Sequence, residues 1–121
     1  MIGILHKAAG CFALASLLLL AGCVSQPKPL YHWGSYQQQL YEHFRNENTS
    51  PQEQIAALEA SLQLARSSGQ TPAPGLHAHL GMLYAETGKA DQVRQQFESE
   101  KSLFPESAAY MDFLLRNYEK K

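Results

Sequence analysis

Apolar positions in this chain follow two regimes. Residues 8–20 form one continuous apolar run. From about residue 31 onward, apolar side chains recur every three or four positions, the spacing of one face of an α-helix. Tyr36, Leu40, Tyr41 and Phe44 predict a first helix that ends near Arg45, with residues 46–49 as a polar turn. Ser50-Pro51-Gln52-Glu53 reads as a helix start: Ser50 caps, Pro51 takes the first helical position, and Glu53 completes a capping box. This second helix runs to about Arg66, with Ile55, Leu58, Leu62 and Ala65 on one stripe, and Gly69 stops it. Residues 70–75, which hold Pro72 and Pro74, read as a loop. Leu76, Leu80, Leu83 and Tyr84 share a face of a third helix, and Ala90, Val93 and Phe97 share a face of a fourth. Thr87-Gly88-Lys89 is the turn between them, with Gly88 able to take a positive φ. Pro105 cannot continue the fourth helix. Ser107 is placed to cap a last helix that runs to about Tyr118 and buries Tyr110, Phe113 and Leu114. The pattern predicts an all-α domain of about five helices.

The stretch 74–107 carries a finer pattern. Counted from Pro74, Leu80, Gly81 and Tyr84 fall at the seventh, eighth and eleventh positions. Phe97 falls at the twenty-fourth and Pro105 at the thirty-second. These five resemble the tetratricopeptide repeat, a helix–turn–helix unit of about 34 residues. Gly81 lets two antiparallel helices approach closely, at a helix-propensity cost of about 1 kcal/mol relative to Ala. Three positions depart from the repeat: His77 stands where Trp is usual, and Val93 and Glu100 stand where Ala is usual. Leu58 and Leu62 mark a degenerate earlier repeat, and Leu114 and Tyr118 the start of a later one. An isolated repeat cannot bury its apolar faces, so the flanking helices must cover it.

The first 22 residues stand apart from the fold. His6 and Lys7 precede the apolar run, which at 13 residues is too short to span a bilayer comfortably. Leu20-Ala21-Gly22-Cys23 follows, the lipobox of bacterial lipoproteins. Cleavage before Cys23 would leave 99 residues, with diacylglycerol and an N-acyl chain on Cys23. Multiple acyl chains anchor stably where one is marginal. Cys11 departs with the signal and Cys23 becomes a thioether, so no thiol remains for a disulfide. Neither Val24 nor Ser25 is the Asp that commonly retains lipoproteins in the inner membrane. That favours the outer membrane, facing the periplasm. Removing Lys7 from 10 basic residues leaves 9 against 11 acidic, a balance of −2, which disfavours nucleic acid.

Residues 24–30 form a short Pro-containing tether with a reach of about 20 Å at about 3.1 Å per residue. The stretch 23–34 is thus assigned to the lipidated cysteine and an aromatic, proline-containing tether, and 35–121 to the helical domain. Tyr31, Trp33 and Tyr36 crowd three aromatic rings into six residues directly after the tether. They either form an interfacial or partner-binding lip, suited to rings with an apolar body and a polar tip, or fold back over the first helix. The second reading is the simpler.

Three segments carry a family resemblance: Tyr31-x-Trp33-Gly34-x-Tyr36, His77-Ala78-His79-Leu80-Gly81-Met82-Leu83-Tyr84 and Phe104-Pro105-Glu106-Ser107. Together they resemble the bacterial lipoprotein family called domain of unknown function 4810, over nearly the whole mature chain. The resemblance implies no activity. It implies association with a lipoprotein set that often includes a CsgG-like outer-membrane lipoprotein, and hence a role in an envelope assembly.

Candidate chemistry is sparse. His77 and His79, two apart on a helix, point to different faces and cannot share one metal. His77, at the repeat's Trp position, reads as a packed, hydrogen-bonded ring. No nucleophile elbow and no Gly-rich phosphate loop occurs, so neither catalysis nor a small-molecule substrate is expected. Gly75, Ala78, Met82 and Ala85 occupy the positions that line the concave wall of a repeat. That wall is small and apolar with one adaptable Met, and holds no clamp for a peptide carboxylate. It accepts either a partner helix or strand, or the chain's own first or last helix. Gln92, Gln95, Gln96 and Glu98 read as a solvated face, with Arg94 and Glu98 as an i, i+4 pair.

Overall fold

The computed structural model describes residues 26–45 and 49–120, together with Gly3. The cleavage site, Cys23 and part of the first turn lie outside the described residues. From residue 26 onward the described residues form five helices: α1 (Tyr36–Arg45), α2 (Pro51–Ser67), α3 (Leu76–Glu86), α4 (Ala90–Leu103) and α5 (Ala108–Glu119). A 3-10 turn at Pro105–Ser107 separates the last two. The fold is all-α, as the periodicity predicts. No helix among the described residues is long and apolar enough to cross a membrane.

α2 starts as its sequence dictates. Glu53 N donates to Ser50 Oγ at 3.3 Å, and Ser50 N donates to Glu53 Oε2 at 2.9 Å. Ile55, Leu58, Leu62 and Ala65 are all buried, as one helical stripe requires.

α3 and α4 form the antiparallel hairpin. Residues in the first half of α3 meet the second half of α4: Gly75 pairs with Glu100, His77 with Gln96, and Gly81 lies beside Phe97. A Cβ at Gly81 would stand 2.6 Å from Phe97 Cε1, so only glycine allows this approach. Leu76, Leu80, Leu83, Val93 and Phe97 are almost wholly buried in the interface. Ala90, expected on the buried face of α4, is exposed, because it sits at the helix mouth beside the turn.

The loop over 70–75 is more ordered than expected. Thr71–Pro72 forms a short strand, β2, parallel to Tyr31–His32, which forms β1. Tyr31 lies opposite Thr71, and His32 opposite Pro72. Ala73 N donates to His32 O at 3.1 Å and extends the pairing. The folded unit therefore takes in part of the stretch 23–34 that the sequence assigns to the tether. The entry to α1 is fastened to α2: Ser35 N donates to Ser61 Oγ at 3.1 Å, and Ser35 Oγ donates to Ala57 O at 3.2 Å.

Two expected faces are rotated. α1 buries Tyr36 and Gln39 and half-buries Leu40 and His43, leaving Tyr41 and Phe44 outside. α5 buries Met111 and Leu115, whereas Tyr110 and Phe113 are exposed and stack on each other at 6.3 Å. Terminal helices are covered on one side only, and which side depends on the neighbour they meet. α5 is held to α4 by Arg94 donating to Glu119 and by Lys101 Nζ to Asp112 Oδ1 at 2.7 Å. Arg94 thus pairs across helices, not with Glu98. Ser107 does not cap α5 through its side chain; Ser107 Oγ donates to Phe104 O at 2.7 Å and closes the 3-10 turn.

Candidate partner-binding groove

The concave-wall positions of α3 do not all stay open. Ala78 and Ala85 are half-buried against the core, and Met82 is exposed. Met82 and Ala85 form one bank of a groove of about 250 Å³, with Leu114, Asn117 and Tyr118 of α5 opposite and Phe97 at its floor. α5 thus borders the wall without filling it. The groove is apolar except for Asn117 and for Glu86 at its rim. Rigid aromatic and aliphatic walls beside a flexible Met suit an apolar segment of a partner.

The aromatic residues divide. Tyr31 packs edge-on against Phe104 with ring centroids 5.7 Å apart. Tyr36 is buried, and Trp33 stacks over it at 6.4 Å. Of Tyr31, Trp33 and Tyr36, only Trp33 keeps a large exposed area. The ring that stacks on the first helix is thus Trp33; Tyr31 turns to Phe104 beyond α4, and Tyr36 belongs to α1 itself.

Two of the three departures from the repeat, Glu100 and His77, have hydrogen-bond partners. Glu100 is buried, and its carboxylate accepts from Gly75 N at 2.7 Å and from Ala78 N at 3.4 Å. Gly75, at φ 89°, is the N-cap of α3 and has no side chain to satisfy the orphan donors there. Glu100 caps α3 from the neighbouring helix, where a negative charge also meets the positive end of the helix dipole. The Tyr36 hydroxyl lies against the same spot, 2.6 Å from where a Gly75 Cβ would be. Burial, and then the Glu100 charge, raise the Tyr36 pKa. His77 Nδ1 and Gln96 Oε1 are 2.6 Å apart and buried. Gln96 therefore belongs to the core and not to the solvated face that the sequence suggests. Sequence reasoning missed Glu100 and Gln96, although a charge and an amide at buried helical positions signal a cross-helix partner.

His77 and His79 do face different neighbours. His79 is buried against α1, its ring 4.8 Å from His43 in a T-shaped contact and 6.2 Å from Tyr36. Its Nε2 has no hydrogen-bond partner among the described residues. Burial, and then His43, lower its pKa from 6.5 to about 4, so it is neutral at pH 7. Among the described residues no group of three His, Cys, Asp or Glu is placed to hold a metal ion.

A larger cleft of about 590 Å³ opens on another face of the hairpin, between α2 and α4. Leu62, Pro72 and Leu103 line it with Arg66, His77 and Ser99. Beside it Tyr84 donates to Glu59, and burial together with that bond raises the Tyr84 pKa.

A family model described as a domain of unknown function, DUF4810, matches residues 30–114. The chain belongs to the DUF4810 family. The DUF4810 match opens at the residue before β1 and closes within α5. It therefore spans the aromatic entry, the hairpin and the Met82, Ala85, Phe97 and Leu114 part of the groove, with Asn117 and Tyr118 beyond it. Searches of curated proteins and of solved structures return no match.

Proposed function

We propose that this DUF4810 chain is a non-catalytic adaptor or structural lipoprotein, anchored through Cys23 to the bacterial outer membrane and facing the periplasm. Its binding element is the groove between α3 and α5, which receives an apolar helix or strand of a protein partner. The observation that carries this reading is the open apolar cleft bounded by Met82, Ala85, Leu114 and Tyr118 over Phe97. A tetratricopeptide-like origin for the hairpin is supported by Leu80, Gly81, Tyr84 and Phe97, which meet in the core at the repeat's spacing. Support for the anchor is the Leu20-Ala21-Gly22-Cys23 sequence after a short apolar run. The association implied by the family resemblance makes a CsgG-like lipoprotein the first partner to test.

The test is in-cell photo-crosslinking from Met82, replaced by a photoreactive residue, with mass spectrometry of the adducts. One dominant envelope protein is the expected product. A broad spread of clients would instead indicate a peptide-binding chaperone. No protein adduct from Met82 or from Tyr118 would remove the groove as a binding site. For the anchor, labelled palmitate should enter the native chain and not Cys23→Ser; label retained in that variant would refute it.

A further inference from the structure

The rotation of α1 leaves an apolar surface that the groove does not explain. Leu30 is 77% exposed, Trp33 41%, Tyr41 55% and Phe44 78%. At roughly 100° per residue, Phe44, Gln37 and Tyr41 fall within about 60° of one another on the helix. Trp33 and Leu30 lie immediately before that flank in the chain. Arg45 stands over the Tyr41 ring, 5.2 Å from its centroid. The one carboxylate among the described residues of α1, Glu42, falls on a different side and is engaged by Gln38 Nε2 at 2.9 Å and Thr49 Oγ1 at 3.1 Å. Tyr41 and Phe44 thus stand together on the outward side of α1, and Leu30 and Trp33 are exposed in the segment that leads into it.

We propose that this flank lies in the interface of the lipid bilayer that holds Cys23, so that α1 docks the domain flat on the membrane. The proposal rests on the lipid-anchor reading above. Two observations select lipid as the occupant. Residues 24–30 reach about 20 Å when extended, so an anchored domain stays beside the headgroups, and the exposed rings belong to the first segments after that tether. The composition also matches: Trp and Tyr place an apolar ring and a polar tip at the headgroup level. Docking on this side keeps Tyr110 and Phe113 as a separate exposed pair on the last helix.

Trp33 is the single tryptophan, so its fluorescence reports the entry to α1 alone. The full acylated chain is reconstituted into phosphatidylethanolamine–phosphatidylglycerol vesicles with brominated acyl chains, after its intact mass has verified acylation. Trp33 emission should be quenched, most strongly by bromines near the headgroups. The double variant Tyr41→Ser with Phe44→Ser should lose half or more of that quenching while the protein stays vesicle-bound. The pair Tyr110→Ser with Phe113→Ser should leave it unchanged. Inserting about ten Gly/Ser residues after Lys28 separates docking from mere proximity: quenching should survive the longer tether. Its loss on insertion would overturn the proposal. So would quenching indifferent to Tyr41 and Phe44, or a photo-crosslinker at Phe44 that captures one protein in cells and no lipid. If the mass shows an unacylated Cys23, the anchor reading fails on its own. Quenching by added vesicles then supports the flank independently, and its absence refutes it.

Discussion

The hairpin of α3 and α4 and the helix α1 use similar side chains in opposite ways. In the hairpin the large apolar residues point inward: Leu76, Leu80, Leu83, Val93 and Phe97 are nearly inaccessible. Three of its buried polar groups are matched across the interface, His77 with Gln96 and Glu100 with the start of α3. α1 buries one aromatic ring, Tyr36, and leaves Tyr41 and Phe44 in the open. The hairpin is packed from both sides, by α2 and by α5, whereas α1 sits at the end of the stack. An apolar residue is committed to a core only where a neighbouring element covers it, and the same residue at an end of the stack is available for another surface.

The sharpest break of this contrast is Phe97→Ala. It empties the floor under Gly81 and should cost about 3–5 kcal/mol, read as a lower denaturation midpoint. Next comes acid. His79 has a folded pKa of about 4 against 6.5 unfolded, so the unfolded state binds the proton first. Stability is complete above pH 6.5 and falls as pH drops toward 4, by on the order of 2–3 kcal/mol. His79→Gln should flatten that stretch of the stability–pH curve; an unchanged slope would assign the acid sensitivity elsewhere. Gly81→Ala should destabilise by about 1–3 kcal/mol, because overpacking against Phe97 outweighs the gain in helix propensity. An unchanged melting curve would mean that the helices can separate freely. Glu100→Ala removes the borrowed cap and should cost about 1–2 kcal/mol, with faster amide exchange at Gly75 and Ala78 as its specific sign. At the low end, Phe44→Ser should stay within about 0.5 kcal/mol of the native chain. A large loss there would place Phe44 in a core and erase the distinction between the two regions.

Helix positions were legible because their signals are local. Pro51 and the Ser50–Glu53 box start α2, and the short link at residues 87–89 turns α3 into α4. The wall of the groove was legible in Met82 and Ala85, since helical spacing alone puts them on one face. Its opposite bank was not, because Leu114 and Tyr118 reach it only through the packing of α5 on α4. The exposure of Tyr41 and Phe44 was also hidden. Tyr36, Leu40, Tyr41 and Phe44 spread over an arc broader than one neighbour can cover, so the periodicity permits more than one inward face.

By itself the sequence determined where the helices begin and end, which stripe of α2 is buried, and that Gly81 marks a close approach. Each follows from hydrogen bonds and sterics within a few residues, or from a repeat spacing that already encodes two helices. Tertiary structure alone decided the roles of Glu100, Gln96 and His79, the pairing of β1 with β2, and the outward face of α1. Those depend on partners 19 or more residues away, such as Gln96 for His77 and Gly75 for Glu100. A residue's type limits what such a partner can be, and only the fold brings one within reach.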